Sequence, residues 1–522
     1  MTAEQRAAFL AAALLAGAFG GAGRANAVVP RHPAPRATTS PASVLQAALK
    51  RAREGDCKGV LSLLDPLVAL PAQPGDKVRD NAQLLRMPCL AAEGRGKEVS
   101  AVLAELDRTV PDNPLVRAYH VFVDTDQGRY AEAADRLGAL ADARSPALKF
   151  MPGLLWRSLS QKLTAAHDEA RRERVALALA EAEWDPADEP ELAQGLASGA
   201  VGALLDRHAT ADARRMLARV TSPGLLWEMA IERRYQPLWP EIEKRMGPES
   251  GASIDAFARS ALAAYADDPK DAHHVREAAY AFLLLGHPQD VASTTDGIAI
   301  QPGMGDDQVS AVLFHAQSLA AAGDRQGSLA LLRKLAALDF RRSPQAAVSL
   351  IALAEQLHNA GLYEEELKIA RQGLARPAAD ALSAYGEGWL KRNEVCALTG
   401  LKRADEAKAA GDRLKAAAAD NQAAAVEGLL CAGRDDEAAA IAIAALGTRE
   451  GVDRLADQFQ PGEAVYAHIP SPLRVLWARL LARKDVRAAF DRVARILPKP
   501  LWPSKGPRPV PVVGVADPSS VT

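Results

Sequence analysis

The sequence predicts an all-α protein, a superhelical α-solenoid of helical hairpins, and three observations carry that expectation. Glycine recurs at a near-constant interval: Gly55, Gly94 and Gly128 lie 39 and 34 residues apart, and Gly286, Gly323, Gly361, Gly400 and Gly433 follow one another at 37, 38, 39 and 33. A period of roughly 34 to 40 residues is the length of one helix-turn-helix unit. Around these glycines one local pattern repeats, clearest in QGRYAEAADRLGALAD (127–142) and again in AGDRQGSLALL, AGLYEEELKIA, TGLKRADEAKA and AGRDDEAAAIA. Finally, 48% of the 522 residues are hydrophobic but only 5% aromatic. The core is then built mainly from Ala, Leu and Val, a composition that suits closely packed helices.

Within the pattern each residue type has a task. Glycine ends the first helix where the backbone turns left-handed, which a residue without Cβ does at least cost. After Gly128, Tyr130 offers a flat apolar body to wedge between helices and Ala133 lets two helix backbones approach, while Leu137 and Leu140 continue one apolar face. Glycine, then an aromatic, then a small residue resembles the tetratricopeptide-repeat family, with PDNP at 111–114 standing where that family breaks between repeats. The resemblance implies stacked hairpins and a concave groove lined by the first helices, where such proteins commonly bind peptides or protein segments. Glu366, Val291 and Val99 occupy the position where the family has a small residue, so the repeats are degenerate.

Taken in order, the chain opens with MTAEQR and an apolar, glycine-rich run too short for a stable membrane span. Ala25-Asn26-Ala27 follows as a small-x-small cleavage site, so residues 1–27 read as a signal peptide and the mature chain is expected to begin at Val28. Residues 28–41 hold four prolines and form an extended leader. The N-terminal repeats occupy 42–142, with helices expected near 42–54, 57–70 and 78–93 and the loop PAQPGD between repeats. From 143 to 266 the turn signature fades, and the interval from Gly128 to Gly286 has room for about four irregular units. Inside it, residues 225–246 concentrate Trp227, Tyr235 and Trp239 around Pro237 and Pro240. These aromatics suit either a partner-binding cluster or the filling of a gap beside a distorted repeat. Regular repeats resume over 267–447, and 448–497 reads as C-terminal capping helices that shield the open end, near 471–483 and 485–496. The proline-rich tail, 498–522, is expected to be extended and mobile, with Trp502 as a docking point.

The search for chemistry returns little. None of the ten histidines has HExxH spacing, and neither G-x-S-x-G nor a dinucleotide-binding fingerprint occurs. Carboxylate pairs such as Asp306-Asp307 and Asp435-Asp436 sit where negative charge favours a helix start. Of the four cysteines, Cys57 begins a second helix and Cys89 ends the next first helix, which places them side by side for a disulfide. Cys396 and Cys431 lie at similar heights on successive first helices and either pair or remain buried thiols. No C-x-x-C spacing exists to hold zinc. Lys391, Arg392 and Asn393 offer one cluster of the kind that grips a carboxylate in a groove, or else an ordinary solvated helix face. With 63 Lys and Arg against 65 Asp and Glu and no basic stripe, nucleic-acid binding is not expected.

The expectation is therefore a non-enzymatic periplasmic scaffold that binds a protein or peptide partner in a curved groove, without cofactor or metal and without an integral membrane span in the mature form. A helical module associated with peptidoglycan enzymes of the cell envelope is one alternative. A cytoplasmic adaptor is another, should the leader not be a signal.

Overall fold

A computed structural model describes residues 40–69, 76–186, 188–375 and 378–512. Among the described residues the fold is all-α, with consecutive helices packed in pairs; no strand forms, and the only sheet-like contact is an antiparallel bridge between Glu232 and Ala494. The signal segment 1–27, the leader up to residue 39, the loop at 71–75 and positions 513–522 lie outside the described residues. No described helix is long and apolar enough to cross a membrane. Two compact units divide at Arg219 and Val220, inside the stretch read as irregular.

Among the described residues the first unit contains five hairpins: α1 (Pro41–Arg53) with α2 (Cys57–Val68), α3 (Lys77–Ala92) with α4 (Gly96–Thr109), α5 (Pro114–Asp126) with α6 (Tyr130–Asp142), α7 (Gly153–Ala165) with α8 (Glu169–Glu181), and α9 (Pro190–Asp206) with α10 (Thr210–Leu217). Helix starts are capped as the sequence requires. Ser40, Asp56, Asp76 and Asn113 accept hydrogen bonds from first-turn N–H groups, and Pro41 and Pro114 sit where no donor is needed. Gly55, Gly94 and Gly128 turn at φ of 74°, 69° and 74°. The repeat continues past Gly128 without glycine: α7–α8 turns at His167 (φ 55°) and α9–α10 at His208 (φ 59°). The N–H groups of His167 and Asp168 bond the carbonyls of Thr164 and Leu163, as those of Gly128 and Arg129 bond Thr125 and Asp124. The signature faded because the same hydrogen-bonded turn is held by a residue with a side chain. The interval to Gly286 keeps room for about four units, divided by left-handed residues at His167, His208 and Gly247 (φ 70°); two of them are hairpins, and three helices of different packing follow.

Those helices open the second unit: α11 (Pro223–Ile231), α12 (Trp239–Met246) and α13 (Gly251–Asp267). Five hairpins come next: α14 (Ala272–Leu285) with α15 (Pro288–Thr295), α16 (Asp306–Ala321) with α17 (Arg325–Ala336), α18 (Val348–Asn359) with α19 (Tyr363–Leu374), then, after the single turn α20 (Ala378–Ala381), α21 (Ala384–Gly400) with α22 (Ala404–Ala416), and α23 (Gln422–Cys431) with α24 (Asp435–Ala445). The unit ends with α25 (Arg449–Leu455), α26 (Pro472–Leu481) and α27 (Lys484–Val493). Gly400 is not the left-handed residue of its turn; Lys402 is, at φ 60°. Gly400 is needed for a different reason, since a Cβ there would meet the Tyr363 ring at 2.6 Å.

The tail departs from the expectation of a mobile segment. It is extended, as its prolines demand, but as far as Arg508 it lies against the start of the same unit. The Arg508 N–H donates to the Leu285 carbonyl at 2.9 Å, its guanidinium pairs with Asp255 at 3.1 Å, and the Ser250 hydroxyl donates to the Leu501 carbonyl. Trp502 donates to Leu497 within the tail at 2.8 Å. Arg495 adds its N–H to the Ile231 carbonyl at 2.8 Å and its Nε to that of Ala230 at 2.7 Å. The capping helices thus leave no open end: they return to α11–α14 and close the second unit on itself.

Both cysteine pairs are bridged. Cys57–Cys89 joins α2 to α3 with Cα atoms 4.9 Å apart, and Cys396–Cys431 joins α21 to α23 at 5.2 Å.

Candidate binding channel of the second unit

The first helices α14, α16, α18, α21 and α23 share an inner face, and residues 457–471, between α25 and α26, lie along it. Their sequence, DQFQPGEAVYAHIPS, cannot join a helix, since Pro461 and Pro470 lack the N–H and restrict the residues before them. The chain makes one short 3-10 turn at Gly462–Ala464, turns again at Tyr466–Ala467, where Ala467 is left-handed (φ 47°), and enters α26 under the Ser471 cap with Pro472 behind it. Trp227 Nε1 donates to the Ala464 carbonyl at 2.8 Å. Tyr466 packs on the cluster of Ile254, Ala258 and Leu284, and Ala467 on that of Ala279, Leu283 and Ala311. At the ends, Arg474 donates to the Gln458 carbonyl at 3.0 Å, while the Gln460 amide bonds the Arg495 carbonyl and the Leu497 N–H at 3.0 and 2.9 Å.

Further along the inner face a cavity of about 340 Å³ separates this strap from α18, α21 and α23, lined by Glu355, Trp389, Arg392 and Glu427 opposite Gln458, His468 and Arg474. Arg392 is 2% exposed, its Nε lies 3.1 Å from Glu427, and its guanidinium sits 5.0 Å from the Trp389 ring centre. Trp477 Nε1 donates to the other Glu427 oxygen at 2.6 Å. Arg392 Nη1 has no hydrogen-bond partner.

The three polar residues singled out in α21 do not form one patch, because successive helical residues point about 100° apart. Arg392 lines the cavity; Lys391 pairs with Glu387 at 3.4 Å; Asn393 is fully buried, with neither amide atom hydrogen-bonded. The aromatic cluster lies where the unit closes. Trp227 holds the strap, Tyr235 is buried beneath Arg234, and Trp239 donates to Met229 while Arg495 stacks 3.5 Å from its ring centre.

A group of carboxylates escaped notice in the sequence. Glu228 on α11 and Glu232, the residue that ends it, lie near Asp453 and Asp457. Burial, then the Asp457 and Asp453 charges, pushes the Glu228 carboxyl up to about 7, although part of its surface remains open to solvent. Glu232 is also raised to about 7, by burial and Asp453, with Arg234 opposing. Burial raises Asp457 to about 6 against the pull of Arg474. The available signal was a pair of glutamates four apart in the otherwise apolar run LLWEMAIE.

Elsewhere, His358 of α18 and Glu366 of α19 form a buried pair at 3.0 Å, so the residue that broke the small-residue rule is accommodated by a partner inside its own hairpin. Burial raises the Glu366 carboxyl, and the histidine hydrogen bond opposes that rise. No group of three or more His, Cys, Asp or Glu among the described residues is arranged to hold a metal. No protein-family profile matches the chain, and no match is found among curated proteins.

Proposed function

We propose that this protein is a non-catalytic periplasmic scaffold of degenerate tetratricopeptide-like repeats that binds an extended protein or peptide segment on the inner face of its second unit. The observation behind this reading is the strap: the face lined by first helices already accommodates a non-helical stretch of chain and engages it through a carbonyl contact and apolar seats. Export is supported by the leader and by two disulfides, which persist in an oxidising compartment.

The test is site-specific photo-crosslinking in cells, with the reactive residue at Glu355 on the inner face or at Arg413 on the second helix α22. A discrete partner captured from Glu355 and not from Arg413 is expected. Equal capture from both, or none from Glu355, overturns the reading. A helical module of a peptidoglycan enzyme is the second reading, favoured by carboxyls near 7 at Glu228 and Glu232, a range suited to proton transfer. Neither residue lines the cavity. Loss of peptidoglycan cleavage in Glu228→Gln, from a measurable level in the unaltered protein, would support it.

A further inference from the structure

We propose that residues 461–470 are a built-in occupant of the inner face, which a partner segment of matching chemistry displaces. This rests on the peptide-binding reading above. The middle of the strap is held by the Trp227 bond to the Ala464 carbonyl, by the buried Ala464 side chain and by two neighbouring side chains, Tyr466 and Ala467, seated between α13, α14 and α16. Its fit ends there. Over α18, α21 and α23 the packing gives way to the cavity of about 340 Å³. Arg392, with 3% of its side chain exposed, borders that space and leaves Nη1 without an acceptor. Protein interiors are close-packed and buried donors are almost always satisfied, so the occupant matches half of the face well and the other half poorly.

The seats define what replaces it. An aromatic followed by a small residue fills the places of Tyr466 and Ala467, and the backbone turns there with the small residue left-handed, as Ala467 is (φ 47°). Beyond that pair the segment fills the cavity bordered by Trp389, Arg392 and Glu427. Glu355 and Glu427 already balance the charges of Arg392 and Arg474 around the cavity, so an uncharged acceptor, a backbone carbonyl or an Asn or Gln side chain, suits it better than a carboxylate. Because the strap is tethered, its effective concentration at the face is in the millimolar range, and a free segment competes poorly until the tethered one is weakened.

A fluorescein-labelled synthetic peptide spanning residues 459–471 tests this by anisotropy against the purified full chain and the Tyr466→Ala variant. At least tenfold tighter binding by the variant is expected, and equal or absent binding by a variant that retains its helical spectrum overturns the proposal. If Tyr466→Ala does not fold, hydrogen exchange of the unaltered chain with millimolar unlabelled peptide decides: faster exchange confined to 462–469 supports displacement, and unchanged exchange there refutes it. A partner captured in cells with no displacement by peptide would sink this inference alone. Displacement by peptide with no partner captured would sink the functional reading.

Discussion

Lys402 shows how a single residue departs from a repeat pattern without breaking it. Its left-handed φ of 60° is one that a residue with a side chain adopts at a cost, and its N–H still closes the same turn onto Thr399 at 2.9 Å. Lys402→Gly should therefore stabilise the second unit by about 1 kcal/mol or somewhat less, the relief of strain being offset by the larger entropy of the unfolded glycine. Urea unfolding checks this, and a destabilised variant would contradict it. Glu232 makes a pH-dependent prediction. Its folded carboxyl titrates near 7, above its unfolded value, chiefly because burial disfavours the charge. The unfavourable charge is absent below the unfolded value, grows as pH rises towards 7, and is fully present above it. Stability of the unit should accordingly fall as pH rises from about 4.5 to about 7. Glu232→Gln should recover on the order of 1–2 kcal/mol at pH 8 and little at pH 5. Paired melts at the two pH values measure it, and an effect independent of pH would exclude this cause.

Among helices, neighbouring elements are joined by covalent and polar ties as well as apolar packing. In the first unit Arg86 of α3 donates to Asp65 of α2 at 2.6 Å and to Gln83 at 2.7 Å, and Gln83 donates in turn to Glu105 of α4 at 2.8 Å. The Cys57–Cys89 bridge lies in the same apolar cluster as Leu64, Leu90 and Leu106. Removing it with Cys57→Ser should cost on the order of 3–4 kcal/mol by the loop-entropy argument. Because repeat stability is nearly a sum of local and neighbour terms, the loss should concentrate in α1–α4. Hydrogen exchange tests the localisation, and an increase spread evenly to α10 would refute it. Between α21 and α23 the second bridge accompanies a close approach at Gly428, where a Cβ would lie 3.5 Å from Arg392 Cα and 2.4 Å from a Leu414 methyl.

In the second unit the ends of the array meet. Arg495 is central: it bonds the Ala230 carbonyl, pairs with Glu243 at 2.6 Å and stacks on Trp239. Arg495→Ala should lower the stability of this unit by about 2–3 kcal/mol, since it leaves the Glu243 carboxylate and the Ala230 carbonyl without their donor. Exchange should quicken together in α11–α12 and α27, segments some 250 residues apart in the chain, while α18–α19 changes least. Faster exchange in α27 alone would mean that closure does not depend on this residue.

The hairpin period, the turn glycines at Gly55, Gly94 and Gly128, and the cysteine positions were legible in the sequence because each depends on residues within one turn or one repeat. Turns at His167, His208 and Lys402 were not, since any residue can hold a left-handed backbone when the flanking hydrogen bonds are made. The inner strap, the carboxylate group around Glu228 and the return of the tail to Asp255 join positions about 200 to 250 residues apart. Local periodicity specifies how each helix packs on the next. Only the accumulated geometry of the packed hairpins decides that the last of them meets the first, and which side chains then face each other across the closure.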